Sequence, residues 1–160
     1  MIQFNNISQD APYKVLNNFY DDSLKANQEN IEAICIASYS SNTKEVNARF
    51  VNLKFINDKE FIFFSNYNSP KSKDFESHDQ ITALIHWNRI SVQIRMKAKI
   101  VKTNKEFNKS YFLTRNSKKN ALAISSDQSQ VIDSYEAVKE NYDSTLKNAD
   151  LSICPSYWGG

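Results

Sequence analysis

Between residues 46 and 75 the chain reads VNARFVNLKFINDKEFIFFSNYNSPKSKDF, with Arg49 and Lys54 inside one apolar stretch and Ser65 and Lys71 just past the next. A guanidinium, ammonium groups and a hydroxyl are the donors that hold a phosphate or another anion. The strand alone also admits a plainer reading, in which the two cations lay their stems on apolar surface and reach water at a rim. A second set stands at Tyr111, Arg115 and Lys119, spaced i, i+4, i+8. If one helix runs through them they lie within about 40° of each other and present a phenol, a guanidinium and an ammonium together. A solvated face is the alternative, and Asn116 with Ser117 would interrupt such a helix.

The rest of the composition limits how an anion could be bound. Glycine occurs only as Gly159 and Gly160. That excludes the Walker loop and the dinucleotide fingerprint, which need glycines at fixed positions for close backbone approach. Any phosphate must then be held by side chains, and turns must be made by Asn, Asp and Ser. The balance of 20 basic against 18 acidic residues is too even for a nucleic-acid or membrane surface to be the main business. A basic row of Lys105, Lys109, Arg115, Lys118 and Lys119 remains the nucleic-acid alternative, and steep salt dependence of binding would mark it. Apolar runs are far shorter than the roughly 18 to 20 residues of a membrane span, and MIQFNNISQD lacks a basic region ahead of an apolar one, so a cytoplasmic protein is expected. Cys35 and Cys154 fit a reducing compartment. His78 and His86 have no Cys or His at ligand spacing, so no metal is expected.

The elements that must position these groups follow from periodicity. A helix is expected over residues 11–26, with Val15, Phe19 and Leu24 on one side. Strands are expected over 32–39, 45–55, 60–65, 81–87 and 90–102. In the last, Val92, Ile94, Met96, Ala98 and Ile100 alternate with Gln93, Arg95, Lys97 and Lys99, giving one buried and one open face. In the stretch 45–55 the apolar phase changes from Val46, Ala48 and Phe50 to Val51, Leu53 and Phe55, which implies a bulge or burial on both faces. Helices are expected at 69–78, with Ser69 and Pro70 at its start, at 104–115 with Asn104 as cap, near 116–126, and at 134–147 with Ser134 as cap and Val138, Tyr142 and Leu146 in register. One domain of 160 residues, of α+β class and mainly β, is expected: an antiparallel barrel with peripheral helices.

Five fragments in this order, RFVNLK, FIFFSNYNSPK, SVQIRMKAKIVK, YFLTR and SDQSQVI, resemble the pyridoxamine 5'-phosphate oxidase family, flavin enzymes with a split-barrel fold. The resemblance covers about residue 30 to the end. It implies an FMN-dependent oxidoreductase that converts pyridoxamine or pyridoxine 5'-phosphate to pyridoxal 5'-phosphate with oxygen as acceptor. It implies that Arg49 and Lys71 hold the FMN phosphate, with Ser65, Phe64 and the chain at Phe50, Val51 and Lys54 nearby. Gln93 would reach the flavin, and Gln128 and Ser129 would do so from the partner subunit of a homodimer with FMN at its interface. Lys54, Tyr111, Arg115 and Lys119 would grip the phosphate of the B6 vitamer. No catalytic acid or base is assigned.

The departures from the pattern are as informative. Pro70 stands where the family usually has arginine, and Lys119 where it usually has serine. PSYWGG resembles the start of the family's last strand region, and the segment that follows it in the family is not in this chain. The alternative is therefore an FMN-binding relative with a different substrate or without oxidase activity.

Overall fold

The computed structural model describes residues 1–126 and 129–160. Along the chain the elements are β1 (Gln3–Asn5), α1 (Ala11–Lys25), β2 (Ala33–Ser40), β3 (Glu45–Asn57), β4 (Glu60–Phe63), β5 (Ser65–Asn66), α2 (Pro70–Ser77), β6 (Gln80–Trp87), β7 (Val92–Lys99), α3 (Lys105–Thr114), α4 (Ser117–Ser125), α5 (Tyr135–Asn148) and β8 (Trp158–Gly159). The described residues divide into two compact units, Met1–Phe64 with Asp74–Ile100, and Ser65–Lys73 with Val101–Gly160. Helix α2 spans the boundary. No described helix is long and apolar enough to cross a membrane.

The first unit is a six-stranded sheet in the order β1-β3-β2-β6-β7, with β4 also paired to β3. The class is α+β as expected, but the sheet is mixed rather than purely antiparallel, because β1 runs parallel to β3 with Gln3 opposite Phe55. Three residues ahead of a helix carry too little periodicity to be seen as a strand in the sequence. The other pairings are antiparallel.

Alternation along β2 and β6 decides which face is core. Ile34 and Ile36 on β2, and Ile81, Ala83, Ile85 and Trp87 on β6, are buried together with Leu53, Ile56, Leu16 and Tyr20. Each fully buried side chain of this size contributes roughly 1.5–3 kcal/mol. Helix α1 covers the cluster through Leu16, Tyr20 and Ser23. Its buried face is turned by one residue from the expected one, leaving Val15 47% and Leu24 39% exposed while Phe19 packs at the edge. Tyr20 fixes that rotation: its hydroxyl accepts from the Ile2 N–H at 2.9 Å, and its ring lies 5.9 Å from that of Trp87.

The phase change in β3 has two parts. The pairing of Leu53 with Phe63 and of Phe55 with Ile62 leaves Lys54 as an extra residue, so the expected bulge is present at Lys54. Ahead of it, Val46 and Phe50 are not buried at all, at 72% and 75% exposed, and lie on the open side of the sheet. Positive φ is taken by Asn6, Asn27, Asn30, Lys44, Asp58, Ser91 and Ser129, and by no described glycine. Four of these are Asn or Asp, the residues that tolerate the left-handed region best.

The second unit is built from α3, α4, α5 and the β5–β8 pair, in which Ser65 faces Gly159 and Asn66 faces Trp158. Its helices start where the capping residues stand: Asn104 accepts from the Phe107 N–H, Asn116 from Lys118 and Ser134 from Ala137. Phe112, Ala121 and Trp158 are buried. Helix α5 has no buried residue, and Val138, Tyr142 and Leu146 are only partly covered or exposed. Gly159 admits no side chain, since a Cβ there would lie 2.1 Å from the Tyr67 hydroxyl and 2.4 Å from Asn108 Nδ2.

Candidate functional site

In the first unit, β3 carries Arg49 on the parity of Asn47 and Val51, opposite Ile36 of β2. The guanidinium is held where it stands. Nη1 donates to Ser38 Oγ at 2.7 Å and to the Ile36 carbonyl at 3.3 Å, and Nη2 pairs with Asp74 Oδ2 at 3.3 Å. Asp74, on α2, also accepts from Ser38 Oγ at 3.0 Å and from Asn47 at 3.5 Å. Asp74 is buried, and the guanidinium with two further donors supplies the partners that a buried carboxyl group needs. Arg49 is therefore not a cation reaching for water at a rim. Its five donors exceed the three bonds above, so an added anion can still be served.

Lys54 is the bulge residue, and bulges re-aim side chains. Its Nζ lies 2.5 Å from Glu32 Oε1, with the two side chains 20% and 23% exposed. Glu32 is brought there by the sheet, since its carbonyl accepts from the Leu53 N–H at 2.8 Å. Its other oxygen accepts from the N-terminal ammonium of Met1. Burial pushes the Glu32 carboxyl up, but the bonds from Lys54 and the N-terminus outweigh it and hold the group below its ordinary range. Phe50 is exposed, Val51 packs at the edge of the core, and Phe64 meets Phe55 edge-on with ring centres 6.2 Å apart. Gln93 is exposed on β7 opposite His86.

In the second unit, Ser65 is paired to Gly159, and Lys71 Nζ donates to Ser69 Oγ at 3.0 Å. Ser69 is buried and its hydroxyl donates to the Asn66 carbonyl at 2.7 Å. The row Tyr111, Arg115, Lys119 is not on one helix. Helix α3 ends at Thr114, and Arg115 is extended with φ −77° and ψ 152° before α4 begins. The Asn116 side chain caps α4, which is why the break falls there.

Tyr111 and Arg115 nevertheless meet on one surface, the ring of Trp158. Tyr111 stacks on it at 6.2 Å between ring centres, and the Arg115 guanidinium lies 4.5 Å from the indole centre and 5.4 Å from that of Phe112. Arg115 Nη2 donates to the Lys119 carbonyl at 3.1 Å, while Nη1 is buried with no hydrogen-bond partner among the described residues. Burial pushes the Arg115 guanidinium below its ordinary value, and the group remains a cation. Lys119 offers its carbonyl to this cluster and its side chain is exposed. Ser129 is exposed, and Gln128 lies outside the described residues.

Glu32, Asp74 and Trp158 are the participants that spacing does not reveal. The two acids stand 22 and 25 positions from the bases they meet. Trp158 had one usable signal, a tryptophan directly before the two glycines. The donor set in each unit, cations with hydroxyls and no glycine loop, fits phosphate monoesters such as that of FMN or of a B6 vitamer.

The family model described as pyridoxamine 5'-phosphate oxidase matches residues 20–144. A pyridoxine/pyridoxamine 5'-phosphate oxidase of Burkholderia lata is 30% identical over an alignment of 156 residues that covers 93% of this chain and 70% of the relative. One from Hydrogenovibrio crunogenus is 26% identical over 153 residues, covering 95% and 70%. Among solved structures, PhzG from Burkholderia lata in complex with tetrahydrophenazine-1-carboxylic acid superimposes with TM-score 0.82 at 20% identity, over 92% of this chain and 73% of that one. A pyridoxamine 5'-phosphate oxidase-related, FMN binding protein from Nostoc punctiforme gives TM-score 0.75 at 8% identity, over 94% and 78%. The two structures share the fold, and the sequence match carries the descent: the chain belongs to the pyridoxamine 5'-phosphate oxidase family.

Proposed function

We propose that the protein is an FMN-dependent oxidase acting on pyridoxamine or pyridoxine 5'-phosphate, with oxygen as final acceptor and pyridoxal 5'-phosphate as product. The observation that carries this reading is the 30% identity to a named oxidase across 93% of the chain. When bound, FMN would supply the hydride-accepting chemistry, and the protein would bind and orient. On this reading residues 1–160 work as one FMN-binding split-barrel domain in the cytoplasm. Arg49, Ser65 and Lys71 serve the FMN phosphate, with Phe50, Val51, Lys54 and Phe64 beside it and Gln93, Gln128 and Ser129 at the flavin. Lys54, Tyr111, Arg115 and Lys119 serve the vitamer's phosphate, and the unpartnered Arg115 Nη1 supports a bound anion in the second unit.

The reading includes a homodimer. Val46 and Phe50 stand on the open face of the sheet with Gln93 exposed on the same face, and an uncovered apolar face of this kind suits a second copy. A second reading, an FMN-binding relative with another substrate, draws support from PhzG, whose ligand in its complex is a carboxylic acid. Arg115 could pair with a carboxylate as well as a phosphate. Anaerobic mixing of the FMN-loaded protein with pyridoxamine 5'-phosphate separates the two. Bleaching of the flavin at a rate that saturates with substrate is expected. An unchanged spectrum despite measured binding would favour the second reading.

A further inference from the structure

Lys54 is the one cation of the first unit that both phosphate assignments share, yet a carboxylate already faces it. Glu32 is not there by chance of rotamer. The Leu53 N–H to Glu32 carbonyl bond locks its backbone beside the bulge, and the bulge turns Lys54 toward it, so the two heads meet at 2.5 Å with about a fifth of each side chain exposed. The ammonium has donors to spare, but a carboxylate and an incoming phosphate on one largely buried cation repel each other, so the two anions compete for its charge.

We propose that Glu32 is the resident counter-ion of Lys54 and a determinant of ligand affinity: the phosphorylated ligand binds by drawing Lys54 from the Glu32 carboxylate to its own phosphate. This rests on the reading that Lys54 faces a ligand phosphate. The exchange has a physical direction. A phosphate dianion offers more charge and three acceptor oxygens, so it outcompetes one carboxylate, whereas a monocarboxylate ligand gains nothing over Glu32. Glu32 thus holds the charge at Lys54 near neutral between ligands and discriminates in favour of dianions. Its second contact, with the N-terminal ammonium, leaves Glu32 a partner after Lys54 departs. That keeps the exchange from stranding a half-buried anion.

The test is Glu32→Gln, which keeps volume and an acceptor oxygen while removing the charge. Pyridoxal 5'-phosphate, followed by its absorbance, should bind roughly three- to tenfold more tightly to the FMN-loaded variant than to the parent, the range expected for releasing a partly exposed ion pair. Adding Lys54→Met should abolish that gain. The thermal transition of the same proteins in inorganic phosphate gives a readout independent of vitamer recognition, and Glu32→Gln should gain phosphate-dependent stabilisation that the double variant lacks. If neither protein binds pyridoxal 5'-phosphate but Glu32→Gln gains in inorganic phosphate, the vitamer reading fails and the counter-ion stands. If Glu32→Gln folds and gains with neither ligand, the counter-ion proposal is overturned. Glu32→Asp, which draws the carboxylate back by one methylene, should move both readouts the same way by less. It decides the matter alone if the glutamine variant does not fold, an unchanged affinity and transition then counting against the proposal.

Discussion

The two units neutralise their cations by different physics. In the first, each site cation meets an acid: Arg49 pairs with Asp74, and Lys54 with Glu32. In the second, Arg115 has no salt bridge among the described residues; its charge lies on the faces of Trp158 and Phe112, with one nitrogen buried and unpartnered. A carboxylate satisfies a guanidinium and must be outcompeted or shared when another anion arrives. An aromatic face stabilises the same charge by about 0.5–2 kcal/mol without occupying its in-plane N–H groups. Arg115 is therefore poised for an anion, whereas the cations of the first unit are held in place by residents.

The sharpest way to break this comparison is to remove a resident. Asp74→Ala would leave Arg49, 23% exposed, without its acid, and Ser38 without its acceptor. Removing one partner of a largely buried pair costs about 3 kcal/mol, which urea unfolding of the purified variant would register. A loss under about 1 kcal/mol would mean that the pair behaves as an exposed one, and the contrast between the units would lapse.

Next in size is the ligand effect in the second unit. Arg115→Ala should weaken pyridoxal 5'-phosphate by one to two orders of magnitude, because a hydrogen bond to a charged group is worth about 1.5–3 kcal/mol, while FMN affinity stays as it was. Parallel titrations with both ligands check this, and equal losses for the two would place Arg115 in general folding rather than anion binding. A smaller effect is expected at Lys71, whose Nζ also bonds Ser69. Lys71→Met should narrow the preference for FMN over riboflavin by about tenfold, the worth of one charge-assisted contact. Riboflavin and FMN titrations of the same sample measure the ratio, and an unchanged ratio would remove Lys71 from the phosphate.

What the sequence made legible follows the range of the interactions involved. The caps Asn104 and Ser134 and the strands of the sheet are local patterns, and they stand where the sequence puts them, whereas the apolar face of β7 is only partly covered, through Val92, Ile94 and Met96, and Ala98 is exposed. Strand β1 escaped because a three-residue strand has no period to read. The buried face of α1 was one residue off because Tyr20, held by the Ile2 backbone, sets the rotation rather than the aliphatic side chains. The row from Tyr111 to Lys119 failed as a helix for a local reason, the cap at Asn116, yet Tyr111 and Arg115 still share a surface that Trp158 supplies from far along the chain. Cations were recognisable by type. Their partners Asp74 and Glu32 were not, since ion pairs across a sheet obey register and not spacing.

The smallest effect separates the two units by pH. The Glu32 carboxyl sits below its ordinary value of 4.5 in the folded chain because Lys54 and the N-terminal ammonium outweigh its burial. The unfolded chain then binds more protons than the folded one between the folded value and 4.5. Stability from this pair is accordingly present in full above that window and is lost as pH falls through the folded value. Arg115 makes no comparable contribution, because a guanidinium stays charged throughout. The stability difference between the parent and Glu32→Gln should therefore be largest near neutral pH and shrink toward zero in acid, whereas the difference between the parent and Arg115→Ala should stay level over the same range. Urea midpoints taken at half-unit steps from pH 7 to pH 3 measure both. A Glu32→Gln difference that persists undiminished in acid would show that packing, rather than charge, holds Glu32 against Lys54.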